Sequence, residues 1–154
     1  QPRSRGLGDV YKRQSLRHRV RDLQIADSVV FSGPLEGEAL VRSLHAHQVM
    51  VIPSVWEEPF GMVALEGIAC GCVVLASDGG GLPDAVGAAG LLFQRGDVES
   101  LHCNLQLLLK DPALRSELRA QAPAHLSNFQ PKQVSSRYLD VLEHAVQSRK
   151  KGTL

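Results

Sequence analysis

Val49-Met-Val-Ile52, Pro53-Ser54-Val55-Trp56-Glu57-Glu58-Pro59-Phe60, Gly61-Met-Val-Ala-Leu-Glu66-Gly-Ile-Ala-Cys70, Gly71-Cys72 and Val73-Val-Leu-Ala-Ser77 run without a break and decide the fold. Val49–Ile52 and Val73–Ala76 are short aliphatic runs bounded by Pro, Gly and Ser, without the polar alternation of a half-exposed strand. Such runs suit strands covered on both faces. Between them, Gly61–Cys70 is long enough for almost three helical turns. The stretch therefore reads as one βαβ unit, its crossover helix packed on a parallel sheet.

From Phe60 to Ser77, Glu66 is the sole charged residue. Burying an unpaired carboxylate costs several kcal/mol, so a Glu66 enclosed by this apolar helix is expected to have partners. Glu58 stands eight positions earlier, just before the helix. The helix N-terminus around Phe60-Gly61-Met62 offers unpaired N–H groups and the positive end of the dipole. Glycine at 61 lets a ligand approach that backbone closely. Glu66 lies about 7 Å further along the axis. An anion at the amides and a hydroxyl-rich group beside the two carboxylates would satisfy all of these groups, as a phosphate attached to sugars does.

Pro53-Ser54, Glu58-Pro59-Phe60-Gly61-Met62-Val63-Ala64-Leu65-Glu66 and Ala69-Cys70-Gly71 together resemble the signature of retaining glycosyltransferases of the family 4 type, whose Glu-x7-Glu element marks the donor site. The resemblance extends from about Ser15 to the mid-130s. It implies an α/β fold, a Rossmann-like parallel sheet flanked by helices that forms the C-terminal half of a GT-B architecture. It further implies that a nucleotide-diphosphate sugar is the donor substrate, that neither metal nor other cofactor is needed, and that anomeric configuration is retained. By that resemblance Glu66 holds the ribose hydroxyls and Glu58 orients the transferred sugar. Ser54 and the backbone of Phe60, Gly61, Met62 and Val63 line the sugar and diphosphate, and Gly33 is a candidate contact to the base. Glu58 and Glu66 are the candidate catalytic pair. Family members also use an Arg and a Lys upstream of where this chain begins, together with an N-terminal acceptor domain. A fragment without them is expected to turn over little or no donor, and membrane contact, if any, to run through that missing domain. Gly67 and Cys72 stand where the family often has Ala and Pro, both packing changes.

The 154 residues make one domain, large enough for a core. Apolar residues at 44% and charged residues at 21% describe an ordinary globular chain. No apolar run approaches the roughly 20 residues of a membrane span, and no signal peptide is visible. Three cysteines, an odd number, point to reduced thiols and a cytoplasmic location. Cys70-Gly71-Cys72 lacks a second Cys pair or a nearby His cluster; a thiol-lined helix end is the default reading and a structural metal the alternative. The formal charge of +1 comes from the leader. Residues 1–14 carry four Lys/Arg and one Asp, so 13 basic and 15 acidic side chains remain, a net charge of −2. No nucleic-acid surface is indicated.

Asp9–Gln14 resembles the translation of a sequencing-library adaptor end. Residues 1–14 are accordingly expected to be a non-native leader, with a basic disordered arm as the alternative. Residues 15–147 are expected to form the nucleotide-sugar-binding domain and 148–154 a basic tail. The spacing predicts the end of a helix over 15–24, a strand over Ser28–Ser32 and an amphipathic helix over Glu36–His45. Gly33, in the turn after that strand, is explained equally well by the turn itself. His45 and His47 read as surface residues at a helix end. Ser77-Asp78-Gly79-Gly80-Gly81-Leu82-Pro83-Asp84 is either a phosphate cradle or a tight strand-to-helix turn, with Asp84 expected to cap the helix it opens. Gly90–Phe93 predicts a strand. Asp97 and Asp111-Pro112 predict helix starts, and a last helix from about Pro131 places Val134, Tyr138, Val141, Leu142 and Ala145 on one side.

A non-catalytic nucleotide-binding or interaction module of the same half-fold, and a GT-B epimerase, remain as alternatives. A receiver-type domain would need acidic residues clustered at strand ends, and a phosphorylase a pyridoxal lysine; neither is found.

Overall fold

The computed structural model describes residues 7–150, in two compact units that divide between Glu36 and Gly37. Residues 1–6 and 151–154, the outer parts of the expected leader and tail, lie outside the described residues.

In the first unit, helix α1 (Leu7–Asp22) runs without interruption across positions 14 and 15. Gln24, at a left-handed φ of 54°, ends it. A single 3-10 turn over Ala26–Ser28 follows. The strand expected at Ser28–Ser32 does not form, because a strand is defined by a partner and this run pairs with none among the described residues. Val30 is 89% exposed, while Phe31 receives the Arg17 guanidinium 5.5 Å from its ring centroid.

The second unit begins with α2 (Gly37–His45), followed by β1 (Val49–Ile52), α3 (Met62–Ala69) and β2 (Val73–Ser77). Next come α4 (Leu82–Val86), β3 (Gly90–Phe93), α5 (Val98–Lys110), α6 (Pro112–Ser127) and α7 (Pro131–Lys150). The strands lie in the order β1-β2-β3, all parallel, with Val49 opposite Val73 and Val74 opposite Gly90. Every residue of β2 is buried, as its unbroken aliphatic run requires.

Alternate β2 side chains feed two cores. Val74 and Ala76 pack with Ala64, Leu65 and Ile68 of α3 and with Leu82 and Val86 of α4. Val73 and Leu75 pack with Phe93, Leu108 and Leu118 beneath α5 and α6. Asp97 caps α5 by accepting from the N–H groups of Glu99 and Ser100, and Asp111 caps α6 by accepting from that of Leu114. Asp84, by contrast, is exposed and caps nothing: Gly81 occupies the N-cap of α4, which has no side-chain cap bond.

Gly67 lets α3 sit close to the sheet, since a Cβ there would meet Met50 Sδ and, at 3.2 Å, Val74 Cγ2. Cys72 is buried and its thiol donates to Leu44 O at 3.1 Å. The cysteines are free, and no group of three His, Cys, Asp or Glu among the described residues is placed to hold a metal. No helix among them is long and apolar enough to cross a membrane.

Candidate functional site

The C-terminal ends of the three parallel strands release the loops that build the site, as is general for open α/β sheets. Leaving β1, the chain places Ser54 in a buried position, where Ser77 Oγ at the end of β2 donates to Ser54 O at 2.8 Å. Ser54 Oγ in turn donates to Glu58 Oε1 at 2.9 Å. The half-buried Glu58 therefore has one carboxylate oxygen fixed by a hydroxyl, and its second oxygen accepts no bond from the described residues.

Its backbone is fixed as well. Gly81 N donates to Glu58 O at 2.7 Å. At Gly80, φ is +59° and a Cβ would collide with the Glu58 backbone. The glycine-rich segment therefore serves as a bed for the Glu58 loop. Sequence reasoning weighed it only as a phosphate cradle or a turn.

Gly61, buried and at φ +89°, opens α3. A Cβ there would lie 2.8 Å from Leu82 Cδ2, so protein occupies the side on which ligand access was expected. The glycine lets α3 turn sharply from the loop and wedge against α4. The first N–H groups of α3, at Met62 and Val63, have no acceptor within the helix.

Glu66 is exposed, contrary to the expectation that the apolar helix encloses it. The reason is geometric. Helix α3 buries Ala64, Leu65, Gly67 and Ile68 on the sheet, which turns Met62, Val63 and Glu66 outward on one face. Met62 is 59% and Val63 37% exposed, so this outward face is apolar as well and the lone charge did not mark burial. An exposed Glu66 incurs no burial cost and needs no partner on that account. What remains is position: Glu66 stands one turn inside the helix without a hydrogen-bond or ion-pair partner among the described residues.

Phe60 meets Phe129 edge-on at 5.6 Å, and with Met62, Leu65, Tyr138 and Val141 lines an apolar groove of about 590 Å³. His125 belongs to the packing below: its Nε2 lies 2.8 Å from Ala85 O and its ring meets Phe129 at 5.1 Å. His45 and His47 are exposed. Gly33 lies in the first unit at φ +74°, with open space around it, so the turn alone accounts for a glycine there.

Among the described residues, two groups of the second unit have displaced pKa values. The Arg95 guanidinium, by hydrogen bond and by charge, holds Glu57 below the usual carboxylate value. Burial, reinforced by the neighbouring Cys70, pushes the Cys72 thiol up, against a smaller opposing effect of Arg119. Sequence reasoning missed Arg95, and it singled out Ser77, Gly80 and Gly81 without their part in holding the Ser54–Glu58 loop. Ser77 carried a usable signal, being a polar residue that ends a fully buried strand.

The parallel α/β sheet with its loops gathered at the strand ends is Rossmann-like, and the solved structures it resembles are GT-B glycosyltransferases. The chain belongs to the glycosyl transferases group 1 family, whose model matches residues 7–125. It is 37% identical over 135 residues to D-inositol 3-phosphate glycosyltransferase from Rhodococcus erythropolis, covering 86% of this chain and 30% of that protein. Sucrose-phosphate synthase from Thermosynechococcus elongatus superposes with a TM-score of 0.70 at 29% identity, over 90% of this chain and 35% of that one. HepE from Anabaena, solved in complex with UDP, gives a TM-score of 0.78 at 22% identity, over 90% of this chain and 38% of that one. The chain thus spans roughly a third of the length of these proteins.

Proposed function

We propose that this chain is the donor-binding part of a retaining glycosyltransferase that uses a nucleotide-diphosphate sugar. One observation carries the reading. A carboxylate without a partner among the described residues, Glu66, stands one turn inside α3, a helix whose first amides have no acceptor within it, while Ser54 orients a second carboxylate, Glu58, in the loop just before it. Diphosphate oxygens suit the amides at Met62 and Val63. Ribose hydroxyls suit Glu66, because a charged acceptor facing neutral donors makes strong hydrogen bonds. The sugar being transferred suits the open oxygen of Glu58, and the amides stabilise the charge that develops on the departing diphosphate. The UDP in the HepE complex and the activity named for the relatives support this assignment.

No metal or prosthetic group has a part in this proposal. The acceptor-binding domain, and any contact with a membrane surface, would belong to the remaining two thirds of a protein the length of the relatives, acting in the cytoplasm. This chain alone would therefore turn over little or no donor. Calorimetric titration with UDP, GDP and their sugars tests the reading. Binding of at least one of them, weakened in Glu66→Ala, is the expected result; absence of heat with all of them in a folded sample overturns it.

A further inference from the structure

We infer that Arg95 is a positioning residue for the Glu58 loop, a role that rests on the donor-site reading above. Arg95 follows β3, yet it joins the loops leaving β1 and β2. Its backbone N–H donates to Asp78 Oδ1 at 2.7 Å. Its side chain lies along Gly79, where an added Cβ would come within 2.9 Å of Nη1 and 3.1 Å of Cδ. The guanidinium then reaches the carboxylate of Glu57, the residue immediately before Glu58. Asp78 itself is tied back to β3 through its N–H to Phe93 O at 3.0 Å.

Glu58 thus sits between two fastenings. On one side Gly81 N holds its carbonyl and Ser54 its carboxylate. On the other, the Arg95–Glu57 pair pins the preceding residue to the same glycine segment. Losing that pair takes the charged partner from Glu57 and leaves it the bond from the Gly80 backbone, which loosens the residue next to Glu58. The pair is itself largely open to water, Arg95 at 36% and Glu57 at 66%, so its effect on global stability is small. Its consequence is local, in the orientation of the carboxylate.

The arrangement offers one competing role, in which the Arg95 guanidinium contacts a donor phosphate directly. A double-mutant cycle separates the two. If Arg95 fastens the loop, Arg95→Ala and Glu57→Gln each weaken UDP-glucose binding about two- to fivefold, the range of an exposed ion pair, and leave UDP binding unchanged. The double variant is then no weaker than either single one, and the reversal Glu57→Arg with Arg95→Glu recovers affinity. If Arg95 touches phosphate, Arg95→Ala weakens UDP and UDP-glucose alike, Glu57→Gln leaves both unchanged or tighter, and the reversal stays weak. That pattern overturns the inference.

Amide hydrogen exchange on the unliganded chain gives a readout independent of any ligand. Faster exchange over residues 55–61 in both single variants, with β2 unchanged, is expected. Unchanged exchange there overturns the inference whatever the titrations show. A wild-type chain that binds no nucleotide sinks the donor-site reading instead, and the exchange result still decides whether the clasp exists.

Discussion

The hydroxyl of Ser54 and the Oε1 of Glu58, four positions apart, are 2.9 Å apart across the turn that leaves β1. A carboxylate held by one oxygen presents the other in a fixed direction. Ser54→Ala removes the only side-chain donor to Glu58 among the described residues and is expected to cost about 1 kcal/mol of stability. It should also weaken nucleotide-sugar binding more than nucleotide binding, because Glu58 is assigned to the sugar. Equal losses for UDP and UDP-glucose would contradict that assignment.

Glu66→Ala separates binding from folding. The side chain is exposed and unpartnered among the described residues, so its loss should shift stability by no more than about 0.5 kcal/mol. Loss of its charged hydrogen bonds to ribose should lower UDP affinity by about tenfold. Urea titration and calorimetry on one preparation check both, and unchanged UDP affinity would remove Glu66 from the site.

Gly61→Ala should act in the opposite way. The residue is left-handed and its Cβ direction is filled by Leu82. Strain and overpacking together are expected to cost about 2–4 kcal/mol. A urea midpoint equal to wild type would show that the loop has another way into α3.

These cases also show what the sequence could reveal. Both strands of the βαβ unit and its helix were readable to within a residue or two, because a buried aliphatic run ended by Pro or Gly has few other uses. Val29-Val30-Phe31 carries the same composition and forms no strand, since composition does not supply a neighbour to pair with. Glu66 misled for a related reason. An apolar helix reads as buried all round, yet α3 exposes Met62 and Val63 on the same face as the acid. Arg95, 38 positions beyond Glu57, was out of reach, because only the parallel sheet brings the ends of β1, β2 and β3 side by side.

Acid should loosen the Glu57 attachment. Its pKa lies below the ordinary 4.5 in the folded chain, so the stabilisation it contributes is present above 4.5 and lost as pH falls through the lowered folded value. The single tryptophan, Trp56, is the adjacent residue and a built-in reporter. Its emission should change on acidification within that window, and the step should vanish in Glu57→Gln. A step that persists in the variant would have another origin.

Thiol reactivity should divide the cysteines. Cys103 is exposed, whereas Cys72 is 2% exposed with its pKa raised by burial. A raised thiol pKa favours the folded chain at pH values below the unfolded thiol's pKa, and that advantage fades as pH climbs through the folded value. At pH 8, iodoacetamide should modify Cys103 first and Cys72 only after denaturation. Equal rates in the native chain would mean that the end of α3 opens readily.

The central position of β2 has a consequence for assembly in time. Neither of its neighbours can be reached by a hairpin, so each ladder waits for a crossover to close, which slows folding. During synthesis the Val73–Leu75 side of the sheet stays wet until Leu108 and Leu118 have left the ribosome. A nascent chain stalled before α5 would present a half-covered sheet, the kind of surface that chaperones bind.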